Sequence, residues 1–151
     1  MNKKGFTLVE LLAVIALVAI LSGIAVVNVV SSINNSKKNA FLLDAKRMIS
    51  KAEYLLSKDT ESRNKLRNGN VNSITYDYTQ LNEKGEFLKD ADDGEFKNGD
   101  FFVKVTKSGS SFNYCVCVVG SRRKIGNNCN TASATCIPES QLTGIDIVID
   151  K

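Results

Sequence analysis

From Leu11 to Val30 the chain is apolar almost without interruption; only Ser22, Gly23 and Asn28 break the run. Twenty residues rising about 1.5 Å each make a helix of roughly 30 Å, the thickness of the hydrocarbon layer of a bilayer. A helix that is apolar on every side must sit in lipid or among other helices of its kind. Lys3 and Lys4 precede the run. Their charge places Met1 on the cytoplasmic side and the rest of the chain outside. Lys37 and Lys38 pull the other way but lie beyond the span. A secretory signal peptide would end in a small-residue cleavage site, and no clear Ala-x-Ala pattern follows this run.

The helical pattern continues past the membrane edge. Phe41, Leu42, Ala45, Met48, Ile49, Ala52, Leu55 and Leu56 recur at steps of three and four, while Lys37, Lys38, Asp44, Lys46, Arg47, Lys51 and Glu53 fill the other faces. That is an amphipathic helix. With no proline before Ser57, one helix of about 50 residues is expected. Its first half needs an apolar environment on all sides. Its second half needs a globular partner along one stripe. The polar stretch Thr60 to Asn70 reads as a loop, and Ile74, Tyr76 and Tyr78 alternate as a strand does. Glu83 to Gly99 reads mostly as loop. Phe101 to Thr106 and Phe112 to Val119 are β-type runs joined through Lys107–Ser111, a hairpin signal. Residues 120–140 look irregular, and Ile145, Ile147 and Ile149 alternate with Asp146 and Val148 as a last strand. The fold expected is α+β: a long N-terminal helix packed on a small antiparallel β-sheet head.

The residues ahead of the apolar run carry the functional signal. Lys4-Gly5-Phe6-Thr7-Leu8-Val9-Glu10-Leu11-Leu12 closely resembles the processing and methylation signature of type IV prepilins and type II secretion pseudopilins. The resemblance implies that a membrane peptidase cuts after Gly5 and that the new first residue, Phe6, is N-methylated. It divides the chain into a leader, residues 1–5, a helix over 6–57 and a head over 58–151 with a Cys-bearing C-terminal loop. Within the helix, about 11–30 spans the membrane and 31–57 is the amphipathic half. The cut would leave the apolar run on the mature protein as an anchor, and Gly5, lacking a Cβ, lets extended backbone enter a tight protease cleft. The implied partners are the prepilin peptidase, a membrane protein of the assembly platform, and other pilin-like subunits, identical or different, in an extracellular filament. Before assembly the chain would sit in the cytoplasmic membrane as a single-pass protein with its N-terminus inside.

Glu10 is the odd residue in this segment. A carboxylate at the start of a membrane span costs a few kcal/mol, so it should have a partner. The resemblance implies the N-terminal amine of Phe6 on a neighbouring subunit. The residues alone offer another role, because Thr7-Leu8-Val9-Glu10 fits a capping box and Glu10 lies at the positive end of the helix dipole. The two roles are compatible. The chain departs from the family in one respect: the proline common in this membrane helix is absent. Val26 and Val27 occupy that region, and Ser22-Gly23 and Asn28 are the weakest points of the helix.

Cys115, Cys117, Cys129 and Cys136 are the only cysteines. In a small exported domain an even set reads as a disulfide framework. Cys115 and Cys117 lie two apart on a strand and share a face, so they do not readily bridge each other. That leaves 115–129 with 117–136, 115–136 with 117–129, or one Cys129–Cys136 loop with two free thiols. The resemblance points to the C-terminal loop, where pilins often close a disulfide. A zinc site needs C-x2–4-C pairs, and the spacings here are C-x-C and C-x6-C. No metal and no cofactor are expected. Asp90, Asp92, Asp93, Gly94 and Glu95 fail the EF-hand spacing and read as a solvated acidic turn. Arg122-Arg123-Lys124 reads as a solvated basic loop, with DNA or a neighbouring subunit as the other readings. Net charge is +4, and +2 once Lys3 and Lys4 are removed, too weak a bias to argue for a nucleic-acid partner. The chain has no histidine, which excludes His-based triads. No catalytic constellation is visible, and no enzyme is expected.

Overall fold

A computed structural model describes residues 7–131 and 133–151, except the side chains of residues 24–28. Helix α1 runs from Leu8 to Lys58 as one element of 51 residues. Ser22 and Gly23 do not interrupt it. The Ser22 hydroxyl donates to the Val18 carbonyl at 2.7 Å, which satisfies the polar side chain within the helix. The chain divides into two compact units, Met1–Ser36 and Lys37–Lys151, and the boundary falls inside α1.

In the first unit, the apolar side chains from Leu8 to Leu21 stand out all round the helix. The large ones, such as Leu12, Ile15, Leu17 and Ile20, are between 52% and 81% exposed. No described residue of this unit covers them. Among the described residues no helix is long and apolar enough to cross a membrane, and in the sequence the apolar run continues through residues 24–28.

In the second unit the amphipathic stripe does what its period requires. Phe41, Leu42, Ala45, Met48, Ile49, Ala52 and Leu56 are buried, and Leu55 packs at their margin. They share one core with Phe101, Val103, Val105, Val116 and Val118. These come from strands β2 (Phe101–Ser108) and β3 (Ser111–Val119). The hairpin turn is tighter than the sequence implied. Ser108 pairs directly with Ser111, leaving Gly109 and Ser110 as the turn. Gly109 has φ +59°, as the first central position of a two-residue hairpin of type I′ or II′ requires. Strand β1 (Ser73–Asp77) pairs antiparallel with β2. Strand β4 (Arg123–Ile125) pairs with β3, β6 (Ile149–Asp150) with β4, and β5 (Ile137–Pro138) with β3. The result is a six-stranded antiparallel sheet in the order β1-β2-β3-β4-β6, with β5 beside β3. The α+β plan, a long N-terminal helix and a small antiparallel sheet, is the one expected. Phe101 anchors the aromatic part of the core, with Tyr78, Phe96 and Phe87 rings at 5.1, 5.2 and 5.8 Å.

Three local expectations fail, each for a capping or packing reason. Thr60–Arg67 is not loop but a short helix, α2. Asp59 caps it by accepting from the Ser62 N–H at 3.0 Å, Leu66 plugs into the core, and Glu61 pairs with Lys65 one turn on. Tyr78 does not extend β1. It starts helix α3 (Tyr78–Leu81), where Asp77 and Gln80 form a capping box. The isoleucine alternation near the C-terminus is not one strand. Ile145–Ile147 forms a 3-10 turn that sends Val148 into the core, and only Ile149 and Asp150 join the sheet.

Candidate functional site

The start of α1 is built by its own sequence. Thr7 is the cap: its hydroxyl accepts from the Glu10 N–H at 3.3 Å. Glu10 reaches back, and its Oε2 accepts from the Thr7 N–H at 2.9 Å and from the Thr7 hydroxyl at 3.0 Å. This is a closed capping box. It places a negative charge at the positive end of a 51-residue helix. Both hydrogen bonds to the Glu10 carboxylate from described residues fall on Oε2. Gly5 and Phe6, the residues flanking the expected cleavage point, lie outside the described residues.

The four cysteines come together in the head as two bridges. Cys115 bonds Cys136 and Cys117 bonds Cys129, with Cα–Cα distances of 5.4 and 5.5 Å, and no cysteine is free. The separations lie in the normal range for such bridges. This overturns the single Cys129–Cys136 loop. Val116 and Val118 face the core, so Cys115 and Cys117 project from the opposite face of β3. The two bridges staple the excursion between β4 and β5 onto that face.

A polar cluster at the helix and the sheet edge was not foreseen. The acidic turn is solvated only in part: Asp93 and Glu95 are exposed, while Asp90 and the Asp92 carboxylate are drawn inward. Asp90 is buried, and its Oδ1 accepts from the N–H groups of Asp92 and Gly94, each at 2.8 Å, while Oδ2 accepts from the Ser121 N–H. Burial pushes this carboxyl upward, but the N–H groups of Ser121, Asp92 and Gly94 outweigh it and hold the group below its ordinary value. Gly120 makes the approach possible, because a Cβ there would stand 2.6 Å from both Asp90 Oδ2 and the Phe41 ring.

Arg123 is buried too. Its Nη1 binds Asp92 Oδ2 and its Nε lies 3.4 Å from Asp150 Oδ1. Lys37 reaches Asp92 Oδ1 at 3.3 Å, and Lys38 reaches Asp150 Oδ2 at 3.0 Å. Two successive lysines of α1 are thus joined through two aspartates to one arginine. The cluster fastens the 90–94 turn, β4 and the C-terminal strand to the helix. Of the basic trio, then, Arg123 is structural, while Arg122 stays exposed. Among the described residues no group of acidic or cysteine side chains is placed to hold a metal ion. The sequence signal for the cluster was only the composition of two polar stretches; nothing in their spacing says that they pair with each other or with Lys37 and Lys38.

Residues 1–26 match the family model for the prokaryotic N-terminal methylation motif. The chain therefore carries the signature of type IV pilins and pseudopilins, on a pilin-like α+β fold. The signature is that of a precursor processed by a prepilin peptidase. Comparison with curated proteins and with solved structures gives no match.

Proposed function

We propose that the chain is a structural subunit of a type IV pilus-like filament. In this reading it is cut after Gly5, methylated on Phe6, held in the cytoplasmic membrane by about residues 11–30, and then packed through that helix into an extracellular fibre. What carries the reading is the motif over residues 1–26, which runs into a helix that is apolar on all sides and then one-sided where it enters the head. No described residue of its own unit covers the exposed apolar half, so lipid and then neighbouring helices supply its surroundings. Glu10 pairs with the methylated amine of a neighbouring subunit. Pairing neutralises both charges in an apolar fibre core and fixes the register of adjacent helices. Two disulfides suit a head that works in an oxidising compartment. The chain itself has no catalytic part in this scheme; the cut and the methyl transfer belong to the peptidase.

A pseudopilin of a secretion or DNA-uptake machine shares the motif, and the doubly stapled head favours the surface filament. Electron microscopy of cells with and without this chain tests the choice. Long surface filaments that vanish with it support the reading, and unchanged filaments sink it. In the same cells Glu10→Val should abolish or sharply reduce filaments, and normal yield would remove the assembly role of that carboxylate.

A further inference from the structure

The two bridges of the head stand in different surroundings. Both start from β3, two residues apart, at Cys115 and Cys117. Cys117 is wholly buried and Cys129 nearly so. The returning backbone of the excursion seals that bridge. A Cβ on Gly126 would stand 3.1 Å from the Cys117 sulfur and 2.3 Å from the Thr135 carbonyl oxygen. Asn127 and Thr135 exchange both main-chain hydrogen bonds across the excursion, each at 2.9 Å. The Asn127 carbonyl oxygen lies 3.7 Å from the Cys117 sulfur. Cys115 and Cys136, by contrast, are only half-buried. Cys115 lines a groove of about 920 Å³, bordered by Lys46 and Ser50 of α1 on one side and by Pro138, Glu139 and Ser140 on the other.

Thiol–disulfide exchange asks two things of a bridge. An outside thiolate must reach one sulfur, and the other sulfur must leave as a thiolate. A thiolate is stable where water or a cation meets it, and unstable in a closed apolar site. Burial blocks attack on Cys117 itself. Cys129 borders a smaller hollow of about 250 Å³, but attack there has Cys117 as its leaving group. The negative charge would then appear on a sulfur shut from water, with a carbonyl oxygen beside it. Cys115 and Cys136 each keep part of their surface in solvent. Either can be attacked, and the other can leave where water receives its charge.

We propose that Cys115–Cys136 is a thiol-exchange site, opened by a small dithiol while Cys117–Cys129 stays closed. One thiolate of the dithiol bonds to one cysteine sulfur as the Cys115–Cys136 bond breaks, and the second cysteine leaves as a thiolate and takes up a proton. The dithiol's other thiol loses its proton, closes on the first sulfur and displaces the attached cysteine. The dithiol ends as a disulfide, having given up two electrons and two protons, and Cys115 and Cys136 end as two thiols. The head stays folded through this step. Cys117–Cys129, the Asn127–Thr135 pair and the pairing of Val116 with Ile137 still hold the excursion. The site goes beyond the filament reading and stands whether or not the chain assembles.

Dithiothreitol added in steps to the full oxidised chain in detergent micelles tests it, with free thiols trapped by N-ethylmaleimide and located by peptide mass. Cys115 and Cys136 should take the label together, about tenfold faster or more than Cys117 and Cys129. In denaturant the difference should disappear, because there the fold shields neither bridge. Equal labelling of the two pairs in the folded chain, earlier labelling of Cys117 and Cys129, or no labelling before the head unfolds would each overturn the proposal. So would a difference that survives denaturant, which would place its cause in the local sequence rather than in the fold.

Discussion

The two halves of α1 share one continuous backbone and have opposite surroundings. Between Leu8 and Leu21 the large apolar side chains are more than half exposed, while Phe41, Ala45, Met48, Ile49, Ala52 and Leu56 are almost wholly buried. Hydrophobicity is not what separates the halves, since both are rich in it. Arrangement separates them. The first half is apolar around the full circumference, so no single small head can cover it. The second half gathers most of its apolar residues on one stripe that packs into the head's core, with Leu43 and Tyr54 outside it. The polar groups divide the same way. Among the described residues Glu10 bonds only to Thr7, within one helical turn. Lys37 and Lys38, more than seven turns further on, reach aspartates more than fifty residues away in sequence.

Substitutions at matched positions sharpen that contrast. Phe41→Ala empties a fully buried site and should destabilise the head by about 3–5 kcal/mol, read as a lower thermal midpoint in detergent. Leu17→Ala, in the exposed half, should leave that midpoint unchanged. A comparable loss from both would break the contrast. Asp92→Asn takes a carboxylate from between Lys37 and Arg123, and breaking a buried ion pair on one side costs about 3 kcal/mol. Its signature is faster amide exchange in the 90–94 turn together with the C-terminal strand, because the cluster couples them. A change confined to the turn would count against the coupling.

Acid gives a milder version of the same test. The Asp90 carboxyl is held below its ordinary value in the folded head. Its stabilisation is therefore fully present above the unfolded-state value of about 3.9 and lost as pH falls through the lower folded value. Asp90→Asn should be clearly less stable than the parent at neutral pH, with the gap narrowing below about pH 4. A gap independent of pH would deny the carboxylate its role. The smallest effect belongs to the cap. Thr7→Ala should cost about 1 kcal/mol, confined to faster exchange in the first turn of α1, with the head unchanged.

What the sequence discloses and what it hides follow from the range of each interaction. The stripe from Phe41 to Leu56 is legible because a helix repeats every 3.6 residues and a core accepts only one face. The β2–β3 hairpin and the shared face of Cys115 and Cys117 are legible because a strand repeats every two. Helix α2 is hidden because only Leu66 contributes to the core, and the helix is set instead by the Asp59 cap. The final strand is misread because isoleucine spacing alone cannot reveal the 3-10 turn that makes Val148 the buried residue. Which cysteines pair, and that Asp92, Arg123 and Asp150 meet Lys37 and Lys38, depend on contacts between distant segments, which no local period encodes. The motif around Gly5, Phe6 and Glu10 is the opposite case. Its function is written locally because a peptidase reads it as a short linear segment.

That motif carries the central claim, and the mass of the native N-terminus tests it most directly. Protein isolated from cells that contain a prepilin peptidase should begin at Phe6, lack residues 1–5, and carry one added methyl group on its amine. An N-terminus that still reads Met1 to Gly5 in those cells would contradict the account.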